Sequence, residues 1–130
     1  MIFFASDLHG SNVCFKKFVN GAKFYGANVL IMGGDMTGKA VIPITEQDDG
    51  SYIGFQAGES VVLNDRDAVD NFKKTVGNMG FYPAEMTESE YQALRGDEAG
   101  RDKIFRKLVV ERVAEWCDYA GAKLAGTDIP

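Results

Sequence analysis

The sequence predicts an α/β fold that opens with a parallel βαβ unit. Two short apolar runs, Ile2-Phe3-Phe4-Ala5-Ser6 and Asn28-Val29-Leu30-Ile31-Met32, read as strands, and Asn12 to Tyr25 between them has helix length. Each run ends in a cluster of polar residues and glycine: Asp7-Leu8-His9-Gly10 after the first, Gly33-Gly34-Asp35 after the second. From Asp65 onward the apolar period lengthens from that of strands to that of helices.

Each element has a local reason. Ser11 is a helix N-cap signal ahead of Asn12. Val13, Phe15, Phe18, Val19, Ala22 and Phe24 or Tyr25 give that helix an apolar face, and Gly26 stops it. Val41 to Thr45 is an extended run whose Pro43 is expected to keep it off the middle of a sheet. Asp48-Asp49-Gly50 is a hairpin turn, Ser51 to Gln56 the returning strand, and Glu59 to Asn64 a third strand. Residues 41–64 therefore read as a β-meander inserted after the second cluster. Asn64 or Asp65 caps a helix to about Val76, ended by Gly77 and Gly80. Phe81-Tyr82-Pro83 reads as a break. Thr87-Glu88-Ser89-Glu90 spells a capping box for a short helix to Leu94, which Gly96 ends. A long helix is expected from Asp97 to Leu124, with Phe105, Val109, Val113, Trp116 and Ala120 on one apolar stripe beside Leu108 and Leu124. An amphipathic helix normally buries such a stripe, so it reads as core rather than as a cofactor box. The chain is expected to form a single domain over 1–130: a βαβ unit (1–40), the meander (41–64) and a helical region (65–126). No repeat and no low-complexity segment divides it.

Composition bounds the function. At 45% hydrophobic and 25% charged, the 130 residues can bury one core. The net charge of −5 argues against nonspecific binding to nucleic acid or an anionic membrane. There is no apolar stretch of about 18 residues to span a bilayer and no secretory leader ahead of Ile2, so a cytoplasmic location is expected. Cys14 and Cys117 lack metal-site spacing and read as reduced, partly buried thiols.

The chemistry lies in the two clusters. Parallel neighbours are about 5 Å apart, so their C-terminal ends lie side by side. Loops there form the usual ligand crevice of an open α/β sheet. Asp7 and His9 stand two apart and, in extended backbone, point to one side. Asp35 arrives from the neighbouring strand end. Carboxylate oxygen and imidazole nitrogen suit manganese, iron, zinc or nickel, and the donor types alone do not choose among them. Gly10, Gly33 and Gly34 suit tight turns or close approach.

Asp-x-His after the first strand and Gly-Asp after the second resemble the calcineurin-like metallophosphoesterases. The resemblance covers about the first 40 residues and implies the N-terminal part of a layered sandwich. It also implies that Asp7 and His9 hold one divalent metal ion and that Asp35 bridges to a second. Two such ions would clamp a phosphate mono- or diester and activate water as a hydroxide nucleophile. The family pattern goes on to an Asn-His or Asn-Asp step and further histidines. His9 is the only histidine here, and Gly77-Asn78 falls at an expected helix end rather than after a strand. The resemblance thus implies an N-terminal portion with half of a dinuclear site, weak metal binding and little or no turnover from this chain alone.

Three other readings bear on function. Gly33 to Lys39 nearly spells a P-loop, Gly-x-x-x-x-Gly-Lys-Ser/Thr, but Ala40 lacks the hydroxyl and Val-Ile-Pro-Ile does not continue as a helix. Lys39 is instead a candidate contact for a substrate phosphate, against the plainer reading of a surface lysine. A non-catalytic reading makes the chain an assembly module, a homo-oligomer formed through an open sheet edge or the C-terminal helix.

Overall fold

The computed structural model describes residues 1–130 and shows a mixed α/β fold of two sheets and four helices. Strand β1 (Ile2–Ala5) pairs parallel with β2 (Val29–Met32), with Ile2 opposite Val29 and Ala5 opposite Met32. Helix α1 (Asn12–Tyr25) connects them. Its N-cap is Ser11, whose hydroxyl accepts from the Cys14 amide, and Gly26 closes it in the left-handed conformation that glycine adopts freely.

The second sheet has four strands in the order β5-β4-β3-β6. Strands β3 (Val41–Glu46), β4 (Tyr52–Gln56) and β5 (Glu59–Leu63) form the expected antiparallel meander. Helix α2 (Arg66–Asn78), capped by Asp65, covers one face. Its Val69, Phe72 and Val76 pack with Ile44 and Leu63 into one of two buried clusters.

Two expectations fail here, both at prolines. Tyr82 to Thr87 is not a break inside a helical region but strand β6, parallel to β3 from Val41↔Tyr82 to Glu46↔Thr87. Proline favours extended backbone before it, and an edge strand tolerates the missing N–H of Pro83. Strand β3, in turn, is interior despite Pro43. Its ladder with β4 starts only at Ile44, so Pro43 has a strand partner on the β6 side alone. The sheet position is central while the local environment is still that of an edge.

Helix α3 (Glu88–Arg95) starts with the predicted capping box, Thr87 and Glu90 bonding reciprocally. Helix α4 (Glu98–Leu124) crosses back to the first sheet. There Trp116 stacks on Phe15 with ring centroids 4.4 Å apart, and its indole N–H donates to Asn12 Oδ1 at 2.7 Å. Leu8, Phe15, Phe18, Val19 and Trp116 form the other buried cluster, which Phe3, Ala5, Leu30 and Met32 complete from the strands. Neither Phe24 (81% exposed) nor Tyr25 (54%) is buried at the end of the expected α1 apolar face. Three further side chains depart from expectation: Val13 is exposed on α1, and Cys14 and Cys117 are exposed free thiols rather than partly buried ones. All three lie on helix flanks turned from the core. No helix is long and apolar enough to cross a membrane.

Candidate metal centre

The loops after β1 and β2 run together because their backbones continue to pair. Gly33 N–H donates to the Ala5 carbonyl at 2.7 Å, Asp7 N–H to Gly34 at 3.1 Å, His9 N–H to Asp35 at 3.1 Å and Gly10 N–H to Met36 at 2.9 Å. This zipper holds the two clusters in register beyond the strand ends. It brings one ligand atom from each of Asp7, His9 and Asp35 within 4.8 Å of one another. His9 Nδ1 lies 3.3 Å from Asp35 Oδ2, and the Ser6 hydroxyl donates to Asp7 Oδ2. All three side chains are exposed, about half in the case of His9 (50%) and Asp35 (51%).

Local conformation differs from the expectation. Asp7 (φ 58°), His9 (φ 47°) and Asp35 (φ 41°) are all left-handed, not extended, so strand alternation is not what brings Asp7 and His9 together. Ala57 is the only other non-glycine residue with positive φ. Aspartate and histidine are enriched in this region, yet it costs on the order of 1–3 kcal/mol per residue and clusters at functional sites. Three such residues at one point are held there by the paired loops and by what supports them from below.

That support is a junction of glycines that the sequence did not make plain. A Cβ on Gly10 would lie 2.4 Å from Gly38 Cα, one on Gly38 would lie 2.5 Å from the Gly80 carbonyl oxygen, and one on Gly80 would lie 2.1 Å from the His9 carbonyl oxygen. Three loops therefore meet with no room for a side chain, and Gly80 (φ 89°) has the backbone conformation to match. Lys39 N–H donates to the Gly80 carbonyl at 2.9 Å and Gly38 N–H to the Tyr82 hydroxyl at 2.6 Å.

Arg112 locks the junction from α4. Its guanidinium donates to the Gly10 carbonyl at 2.6 Å and the Phe81 carbonyl at 3.1 Å, and lies 4.8 Å from the Tyr82 ring centroid. It is buried and forms no ion pair; burial pulls its pKa below the usual arginine value, opposed by Tyr82 and Glu115. Position 112 falls on the apolar stripe between Leu108 and Trp116, and a cation in such a stripe is the one signal that marked it.

The donor set fits one divalent cation. Ligand atoms about 2.1 Å from an ion lie up to about 4.2 Å apart, so small side-chain rotations suffice to close the present spacing. Two carboxylates and one imidazole leave positions open for water or substrate, as at catalytic centres. The structure gathers one such group of His, Cys, Asp or Glu donors.

The other candidates lie elsewhere. Lys39 does not join the group; its ammonium sits over the Phe81 ring, 5.3 Å from the centroid. Strand β3 follows it, where a P-loop would start a helix, so no helix N-terminus stands behind Gly33 to Lys39. Gly77 and Asn78 close α2. No family model matches this chain, and neither the curated proteins nor the solved structures contain a match to it.

Proposed function

We propose that the loops after β1 and β2 hold a divalent cation and that the protein is a metal-dependent phosphoesterase acting on phosphate mono- or diesters. One observation carries this reading: Asp7, His9 and Asp35, from two adjacent parallel strand ends, bring O, N and O donors within 4.8 Å in three strained left-handed conformations. The resemblance to calcineurin-like metallophosphoesterases rests on the same residues and supplies the reaction class. A divalent cation there contributes Lewis acidity toward a phosphoryl oxygen and lowers the pKa of water. Asp7 and Asp35 supply the compensating negative charge, Ser6 orients Asp7, and the exposure of His9 and Asp35 leaves room for an ester to approach. With one ligand set rather than two, turnover is expected to be slow.

The test is hydrolysis of bis(p-nitrophenyl) phosphate and p-nitrophenyl phosphate with manganese. Slow, manganese-dependent release of nitrophenol that disappears in Asp35→Asn is the expected result. Hydrolysis that survives Asp7→Asn, His9→Asn and Asp35→Asn contradicts the site, and absence of manganese-dependent hydrolysis contradicts the enzymatic reading.

The assembly reading, expected through a sheet edge or the C-terminal helix, draws support from a different surface. The outer face of the β1–β2 sheet exposes Ile2, Phe4 and Ile31. Covering it with a second copy of the chain would bury those side chains. Sedimentation should then show a dimer that Phe4→Ser with Ile31→Ser converts to monomer; a wild-type monomer at high concentration contradicts this reading.

A further inference from the structure

A cleft of about 800 Å³ opens between the outer side of β3 and β6 and the helices α3 and α4, away from Asp7, His9 and Asp35. Its size is that of a small-molecule site. Val41, Met86, Leu94 and Phe105 supply apolar lining, and Lys39, Arg95 and Arg101 supply cations. None of these three cations enters an ion pair, and the Lys39 ammonium, which rests over the Phe81 ring outside the lining, would turn from it to meet a ligand. Arg101 donates to the Arg95 carbonyl at 2.9 Å and Arg95 to Gln92 Oε1 at 3.4 Å, so both guanidinium groups keep further N–H donors. Of the two carboxylates lining the cleft, Asp102 pairs with Arg106 at 2.9 Å, and Glu98 forms no ion pair. A cationic concavity with an apolar floor stands out in a chain of net charge −5.

We propose that this cleft binds a small organic phosphate, with an aromatic body on the apolar floor and the anionic head against Lys39, Arg95 and Arg101. Guanidinium groups match phosphate oxygens in geometry, and an apolar lining rewards a body that inorganic phosphate lacks. At its Lys39 end the cleft adjoins the loop junction: the Lys39 amide bonds to the Gly80 carbonyl, and Gly80 packs on the His9 carbonyl. Ligand selection here is separate from the metal site, since none of the three candidate metal ligands lines the cleft.

The experiment titrates the full chain with 1-naphthyl phosphate, 1-naphthol and inorganic phosphate in the presence of a chelator. Naphthyl phosphate should bind at least about ten-fold more tightly than either half-probe, and Lys39→Gln with Arg101→Gln should cost about ten-fold for the phosphate ester while leaving 1-naphthol unchanged. Asp35→Asn should leave all three affinities unchanged, which separates this result from the fate of the phosphoesterase reading. Equal affinity for the three probes, indifference to the double substitution, or loss of binding in Asp35→Asn would each overturn the proposal.

Discussion

The two sheets differ in how completely they are covered. Strands β1 and β2 are apolar at every position, IFFA and VLIM, the pattern of parallel strands meant to be buried on both faces. Helices α1 and α4 cover the side of Phe3, Ala5, Leu30 and Met32, while Ile2 (65% exposed) and Phe4 (59%) face outward. The four-stranded sheet, by contrast, closes a core against α2 in which Ile44 and Val69 are fully buried. A two-stranded sheet is marginal by itself. The candidate metal centre sits at the tip of this less supported sheet and is tied to the other half through Gly80 beneath His9 and through Arg112 of α4, which bridges the Gly10 and Phe81 carbonyls. Rigid support from one region and open access in the other is the arrangement a binding site on loops requires.

Changes at the seam between the halves should have the largest effect. Arg112→Met leaves the Gly10 and Phe81 carbonyls without their donor and should cost about 3 kcal/mol in urea unfolding. It should also weaken metal binding, because Gly10 belongs to the ligand loop. A loss well under 1 kcal/mol would mean that the halves do not lean on each other. Gly80→Ala comes next. It combines a positive φ with a contact of 2.1 Å to the His9 carbonyl oxygen and should cost about 2 kcal/mol or more. Manganese affinity should fall with it, and an unchanged affinity would detach the metal centre from its support.

The smallest effect belongs to the better-covered half. Glu85 on β6 accepts from Arg66 and Lys73 of α2, and chiefly the Arg66 hydrogen bond lowers its pKa from 4.5 to about 2. A folded-state pKa below the unfolded one stabilises above about pH 4.5, and that contribution is lost as pH falls through 4.5 toward 2. Glu85→Gln should cost about 1 kcal/mol at pH 7, since exposed partners screen the pair. The difference between variant and wild type should shrink on acidification, with metal affinity at pH 7 unchanged. A difference that grows on acidification would reverse the sign of the account.

How much of this was legible in the sequence follows the range of each signal. The caps at Ser11, Asp65 and Thr87 and the turn at Asp48-Asp49-Gly50 are local, and the structure contains each of them, whereas of the expected α4 stripe only Trp116 is buried and the rest is half-buried. Strand β6 was hidden because Pro83 looks like an interruption until β3 is present to pair with it. The residues Asp7, His9 and Asp35 were legible as a group, but their left-handed backbone was not, because loop pairing between Asp7 and Gly34 or His9 and Asp35 sets it. Arg112 and Gly80 act across 102 residues and across three loops respectively, distances at which spacing carries no information.

The most direct test of the central claim is calorimetric titration of manganese into the chain and into Asp7→Asn, His9→Asn and Asp35→Asn. Asparagine tolerates positive φ, so each substitution replaces a carboxylate or imidazole donor with a weak, neutral amide oxygen while sparing the loop conformation. The account predicts one saturable site in the wild type and its loss in all three variants. No saturable binding, or binding that all three variants retain, would contradict it.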